Sequence, residues 1–391
     1  MENNKKRSKF KIKDYINYAL VLVLLIYGIV LLMTGGLRLS TARLLVQMGY
    51  SIILAVSLNL VVGFLGELSL GHAGFMCVGA YVGGLCAVLL KQFIPDMKLV
   101  VLILAMIIGG VVAAVFGFII GLPSLRLKGD YLAIVTLAFG EIVRNVFRNQ
   151  EVFGGARGLT TGSISYDTRF SPTLFIIVLV TALVMLIVVQ NLVKSKHGRA
   201  ITAIRDNEIA AKAMGINVTF YKLFVFIIAA FFAGCAGVIY AHTTTPVLYS
   251  FFSYNYSIEI LVMVVLGGMG SITGSIIAAS FIAYINFTLQ NQLSGDLASL
   301  RNLVYAIILI GVVIVSNAPA LKNFREKYSI SALFGRFKKK DVSERKDDEA
   351  KWARVPTKIK MDALLSTDMN PNSNQSIHGD IGNNGGKGGD K

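Results

Sequence analysis

The sequence predicts an all-α, polytopic membrane protein, and three observations predict it. Hydrophobic residues make up 54% of the 391 positions and charged residues only 15%, against a charged share of about 25% in soluble proteins. The mean hydropathy is +0.65, gathered into long apolar runs, and a helix needs about 20 mostly apolar residues to cross the bilayer core. Lys and Arg number 38 against 22 Asp and Glu, a formal charge of +16. In a polytopic chain that excess belongs to cytoplasmic loops under the positive-inside rule. The composition argues against soluble enzymes, secreted disulfide scaffolds and nucleic-acid partners.

The N-terminus carries Lys5, Lys6, Arg7, Lys9, Lys11 and Lys13 ahead of an apolar run from Tyr18 to Met33. No small-x-small cleavage site follows, and a second run soon begins at Leu44, so this reads as a retained signal-anchor helix with its basic end in the cytoplasm. Further runs extend from Leu44 to Leu65, Leu68 to Leu90, Leu99 to Leu122, Tyr131 to Phe147, Pro172 to Val193 and Phe220 to His242. Shorter ones follow from Ile258 to Leu266, Ile272 to Leu289 and Leu303 to Val315. The stretch Ile258–Leu266 is too short to span alone, and Gly267, Gly268, Gly270 and Gly274 mark a broken or re-entrant helix near 258–274. The expected topology is about 8–10 transmembrane helices.

Loop charge agrees with that topology. Arg126 and Lys128, then Lys194, Lys196, Arg199, Arg205 and Lys212, then Lys322, Arg325 and Lys327 all fall on the cytoplasmic side if every run crosses. Beyond about Arg336 the chain becomes charged and then rich in Asn, Ser and Gly, a composition that buries no core. The organisation read from the sequence is a basic cytoplasmic N-terminus (1–14), a transmembrane domain (15–318) with a cytoplasmic loop at 194–217, and a largely disordered cytoplasmic tail (319–391).

Glycines sit inside the apolar runs as well as between them. Gly79 and Gly83, Gly117 and Gly121, and Gly270 and Gly274 are each four apart, a spacing that lets helix backbones approach in lipid. Cys77, Cys86 and Cys235 lie within apolar runs and form no CxxC pair, so neither a zinc site nor a disulfide framework is indicated.

Motifs of enzyme chemistry are missing. There is no H-E-x-x-H and no G-x-S-x-G, the four histidines are scattered, and the one Gly-Lys step, Gly386–Lys387, lacks Walker A spacing. If ATP drives this protein, another chain hydrolyses it. Polar residues inside the apolar runs are the remaining candidates. Asn59, Glu67, Ser69 and His72 stand at the junction of the second and third runs, where ionisable groups line a polar path or, with Gly63, Gly66, Gly71 and Gly74, form a solvated bend. Glu141 and Arg144 are spaced for a same-face ion pair, and Glu141 is a further path candidate. Glu259 opens the broken segment, a cap-like position on the helix dipole.

The loop from Lys194 to Asn217 predicts a surface helix of roughly three to four turns. It is rich in alanine, ends at Gly215 and places Glu208 and Lys212 for an i,i+4 pair. Ile201, Ile204 and Ala211 form a modest apolar face, with Ala210 elsewhere on the wheel. Such a segment is either a connecting loop or a docking helix whose small residues admit a partner.

Five strings spread along the chain carry a family likeness. They are L-S-L-G-H-A-G from Leu68 to Gly74, G-L-P-S-L-R-L-K-G-D-Y-L-A-I-V-T-L from Gly121 to Leu137, and F-G-E-I from Phe139 to Ile142. The others are G-R-A with A-I-R-D-N-E-I-A-A-K-A-M-G-I-N from Gly198 to Asn217, and V-V-L-G-G-M-G-S from Val264 to Ser271. Over about Leu44 to Ser316 the chain resembles the LivM-type permease subunits of branched-chain amino acid ABC importers.

That resemblance implies the ABC importer permease fold in a bacterial cytoplasmic membrane. It also implies pairing with a LivH-type permease, two cytoplasmic ATPase subunits and an extracytoplasmic substrate-binding protein. On this reading the chain binds no cofactor, and ATP and Mg are used by the ATPases. Gly198, Arg199, Arg205, Glu208, Ala210, Ala211 and Gly215 look like the ATPase-docking loop. Asp206-Asn207-Glu208 is less acidic than the family often has there, Arg157 stands in a Gly-rich outer loop, and the tail after Arg336 is not a usual family feature. Two alternatives stay open at this point, a urea or short-amide ABC importer and an ion-coupled secondary amino acid transporter.

Overall fold

The computed structural model describes residues 12–33, 39–93, 97–124, 127, 129–161 and 171–292, with four further positions between 304 and 310. The run from Leu303 to Val315 lies outside these apart from those positions. The tail at 319–391, the basic segment before residue 12, and Arg126 and Lys128 lie outside them altogether.

Every regular element among the described residues is helical. The order is α1 (Ile12–Met33), α2 (Leu39–Asn59), α3 (His72–Phe93), α4 (Lys98–Ser124), α5 (Asp130–Asn149), α6 (Ser171–Lys194), α7 (Lys196–Asp206), α8 (Glu208–Ala213), α9 (Val218–Thr243), α10 (Tyr254–Gly267) and α11 (Ile272–Gln292). A π-helical turn, Leu60–Leu65, continues α2. Among the described residues six helices are long and apolar enough to cross a membrane, namely α2 with its π turn, α3, α4, α6, α9 and α11. Shorter apolar stretches lie at Asn17–Val30 and in α10. The chain is thus an all-α polytopic membrane protein.

At the centre α3, α4 and α9 pack with little between their backbones. A Cβ added at Gly79 would sit 2.2 Å from the carbonyl oxygen of Gly234, and one at Gly237 would sit 2.0 Å from that of Met76. Small residues here let dispersion contacts act across whole helix faces, the main driving force once all surfaces are apolar. The outer side of α4 behaves oppositely. Ile103, Ile107, Val111 and Val115 recur every fourth residue and are all exposed, a stripe suited to lipid tails. Beside this trio α2 is the most enclosed span, with Ile52 to Val56 fully buried.

Amphipathic α5 supports one flank. Leu132, Thr136, Gly140, Val143 and Phe147 form its buried face, while Asp130, Glu141, Arg144 and Arg148 make it too polar to count among the six spans. At the end of the bundle away from α7 and α8, Leu159 and Val247 exchange backbone hydrogen bonds of 3.1 and 2.9 Å, and Tyr81 donates to the Val247 carbonyl at 3.1 Å.

The expected break near 258–274 is a hairpin. Fourteen residues give α10 a length of about 21 Å, less than the roughly 30 Å hydrocarbon core. It ends at Gly267, and α11 starts at Ile272. The two legs touch closely, since a Cβ at Gly267 would lie 2.4 Å from the backbone of Gly274. The helix begins earlier than the apolar pattern suggests. Tyr254 opens it, and its N–H donates to Glu141 Oε1 at 3.0 Å. Glu259 therefore lies in the second turn, where it hydrogen-bonds Asn286 of α11, and the expected cap-like position belongs to Glu141. The polar, aromatic turn Tyr254–Ser257 hid this start from a reading based on apolar runs.

Candidate functional site

The segment between α6 and α9 folds as two short helices at an angle, not one. Ser195 caps α7, its hydroxyl accepting from the backbone N–H of His197 and Gly198 at 3.1 and 3.3 Å. Asn207 then leaves helical geometry and caps α8, its Oδ1 accepting from Ala210 N–H at 3.0 Å. An Asx side chain that bonds its own backbone competes with helix continuation, which is why the expected single helix splits there. Gly215 ends the segment at φ +80 with open space around it, so its contribution is the left-handed turn alone. Gly198 serves close approach, since a Cβ there would lie 2.1 Å from the Val193 carbonyl oxygen.

One face of this segment is buried through Ile201, Ile204 and Ala211. The other presents Arg199, Ala210, Ile209 and Met214 outward, the last two 77% and 82% exposed. Apolar side chains held outward on a capped, polar segment make a small contact surface.

Beside an exposed contact of 3.3 Å between His197 Nδ1 and the Tyr221 hydroxyl, two links join the segment to the inner part of the bundle. The first is Arg205, whose Nη1 donates to the Gly63 carbonyl in the π turn at 3.0 Å, while its Nε and Nη2 hold Asp206 at 3.2 and 3.1 Å. Gly63 in turn lies against the α10–α11 turn. Asn59, fully buried, accepts from Gly270 N–H at 2.8 Å and donates to the Ser271 carbonyl at 3.1 Å and to Ser275 Oγ at 2.9 Å. A buried amide with its acceptor and both donors engaged fixes one relative placement of the helices that carry its partners. Arg205, Gly63, Asn59 and Gly270 thus form a continuous polar connection from α7 to the α10–α11 turn.

The second link is Lys222 at the start of α9. Its ammonium pairs with Glu67, just past the π turn, and with Glu208 at 3.3 Å, while Glu208 also pairs with Lys212 at 2.9 Å. Lys222 is 3% exposed and Lys212 is 58% exposed, which decides their relative weight. An exposed i,i+4 pair contributes about 0.3–0.5 kcal/mol, whereas removing one partner of a buried pair costs about 3–5 kcal/mol.

The hydrogen bond from Lys212, aided by the Lys222 charge and opposed by partial burial, holds the Glu208 carboxyl below its ordinary value of 4.5. A depressed pKa contributes stability that is complete above the unfolded value and is lost as the pH falls through the folded one. The melting-temperature gap between the parent and Glu208→Gln is therefore expected to stay constant across neutral pH and to narrow only below the ordinary carboxylate value. A gap that closes near neutrality would contradict the arrangement.

The remaining sequence candidates divide between the two ends. His72 Nε2 lies 2.9 Å from Ser57 Oγ, fully inside the bundle. Ser69 is buried, and its hydroxyl has no hydrogen-bond partner among the described residues. Gly71 and Gly74 let their loop lie on α5, with Leu70 N–H donating to Thr136 Oγ1 at 3.0 Å. Gly268 has φ +90 in the hairpin turn. Asn59, Glu67, Ser69 and His72 thus gather toward the end that carries α7 and α8. Glu141 does not join them: it forms the expected pair with Arg144, at 2.6 Å, beside the start of α10. Sequence reasoning missed Lys222, Ser57, Ser271 and Ser275. A lone lysine in the apolar run from Phe220 to His242 was the available signal for the first.

Against known proteins, residues 40–313 match the family model described as branched-chain amino acid transport system / permease component. The chain is 38% identical over 256 residues to the high-affinity branched-chain amino acid transport system permease protein LivM of Salmonella typhimurium, covering 58% of each chain. It is 34% identical over 292 residues to LivM of Escherichia coli, covering 68% of this chain and 64% of that one. It is 23% identical over 296 residues to the permease protein LivH of Escherichia coli, covering 72% and 92%. The chain spans less than two thirds of the length of the two LivM relatives. No solved structure matches.

Proposed function

The chain belongs to the family of branched-chain amino acid transport permease components, and on that premise we propose that it is a LivM-type permease subunit of an ATP-driven importer of leucine, isoleucine and valine. It pairs with a LivH-type permease, sits on two cytoplasmic ATPases that hold the ATP and Mg, and receives amino acid from an extracytoplasmic binding protein. It carries no ATPase site and no cofactor of its own. The protein is a multi-pass component of a bacterial cytoplasmic membrane, with its N-terminus and its tail at 319–391 on the cytoplasmic side, the side assigned to the Lys- and Arg-rich 194–217 segment by the positive-inside rule.

The observation that carries this reading is the double attachment of the α7–α8 segment to the bundle, through Arg205 to Gly63 and through Glu208 to Lys222. An ATPase closing on Ile209, Ala210 and Met214 moves the segment. Arg205 passes that displacement to the α10–α11 turn, and Lys222 passes it to α9 and so to the α3–α4–α9 core. Asn59, Ser69 and His72 lie where such a shift reshapes the polar interior. Coupling by an ion gradient has less support, because an ion-coupled carrier titrates its intramembrane carboxylates, and here Glu67 and Glu141 are held by Lys222 and Arg144.

Purification of the tagged chain in mild detergent is expected to bring with it a second permease and two ATPases. Recovery of this chain alone, still active in transport after reconstitution, would contradict the proposal.

A further inference from the structure

A cavity of about 440 Å³ opens between α2, the end of α9 and α11, at the end of the bundle away from the docking segment. Its volume lies within the roughly 300–1,000 Å³ of small-molecule sites and far exceeds the roughly 30 Å³ of one water. Arg43, Gln47 and Tyr50 line it from a single face of α2, the i, i+4, i+7 pattern of one helix stripe. Thr243, Thr244 and Gln290 add polar groups from α9, the loop beyond it and α11. Arg43 and Gln290 are exposed at its mouth, so the chamber is open to a solute.

The wall chemistry selects the occupant. Among the described residues Arg43 supplies the one charged side chain of the lining, and no described carboxylate pairs with it. A guanidinium fork at a cavity mouth matches a carboxylate in two parallel hydrogen bonds. Phe251 and Phe287 face the same space and offer apolar surface, which a small inorganic anion does not use. A cation at the rim and aromatic rings in the wall complement a carboxylate that carries an apolar side chain.

We propose that this cavity is a substrate site within the permease itself, in which Arg43 takes the α-carboxylate of the incoming amino acid and Phe251 and Phe287 receive its side chain. The inference rests on the importer reading above. It makes the permease a second point of selection, one that rejects solutes lacking a carboxylate.

The test uses the full importer in liposomes, with ATP inside and leucine-loaded binding protein outside. Arg43→Gln is expected to lower leucine uptake about tenfold or more, the size of effect a lost charge-assisted pair produces, and Arg43→Lys to retain more of it. A readout independent of turnover guards against a folding defect. Leucine, but not leucinamide, should shield Thr243→Cys from a methanethiosulfonate reagent in a Cys86→Ser background, where the remaining Cys77 and Cys235 are buried. Unchanged uptake by Arg43→Gln, or labelling of Thr243→Cys that ignores leucine, overturns the site and leaves amino acid import standing. Absence of leucine uptake by the unsubstituted importer overturns the importer reading instead.

Discussion

Lys222→Met is expected to lower the melting temperature of the assembled protein and to abolish most transport. The substitution keeps a long apolar stem and removes only the charge, leaving Glu67 and Glu208 facing each other without their shared cation. Breaking a buried pair in this way costs about 3–5 kcal/mol. The carboxylates retain 13% and 21% exposure, so water relieves part of the repulsion and the lower end of that range applies. Adding Glu67→Gln to Lys222→Met should restore part of the loss, because the surviving carboxylates no longer repel; the double-mutant cycle isolates that coupling. A Lys222→Met protein that melts with the parent would mean that the cation does not hold the three segments together.

Gly63→Ala is expected to prevent correct assembly of the α2 and α10–α11 junction. Its new methyl would lie 1.9 Å from Asn59 Oδ1 and 2.2 Å from the backbone nitrogen of Gly270. These two atoms are hydrogen-bonded to each other at 2.8 Å, so neither yields without opening that bond. Overpacking costs about 1–3 kcal/mol where side chains can shift, and here backbone must shift and a buried amide loses its partner as well. Gly215→Ala meets no atom within 4 Å and carries only the cost of a left-handed backbone, about 1 kcal/mol. Gel filtration of fluorescently tagged variants checks the contrast: a broad or void-volume peak for Gly63→Ala and a near-parental peak for Gly215→Ala. Equal profiles would contradict it.

The fold was legible wherever it depends on local chemistry. Apolar runs gave the spans, the Gly267–Gly274 cluster gave the hairpin, and Gly215 gave the end of the 194–217 segment, because each acts through its own backbone or through contact with lipid. Pairings between distant parts of the chain were not legible. Asn59 reads as a polar residue in an apolar run, and nothing near it announces Gly270, Ser271 and Ser275 as its partners. Glu67 reads as a solvated bend or a path residue until Lys222 is brought beside it by the packing of α9. The π turn at Leu60–Leu65 is apolar throughout and carries no local signal. Asn207 is the instructive case, since its capping preference was visible but the alanine-rich pattern around it reads as continuous helix.

The most direct test of the central claim is leucine uptake by liposomes containing this chain, its permease partner and the two ATPases, supplied with loaded binding protein. ATP inside the liposomes is expected to drive uptake with no ion gradient present. Uptake that ignores ATP and follows an imposed ion gradient would contradict the account.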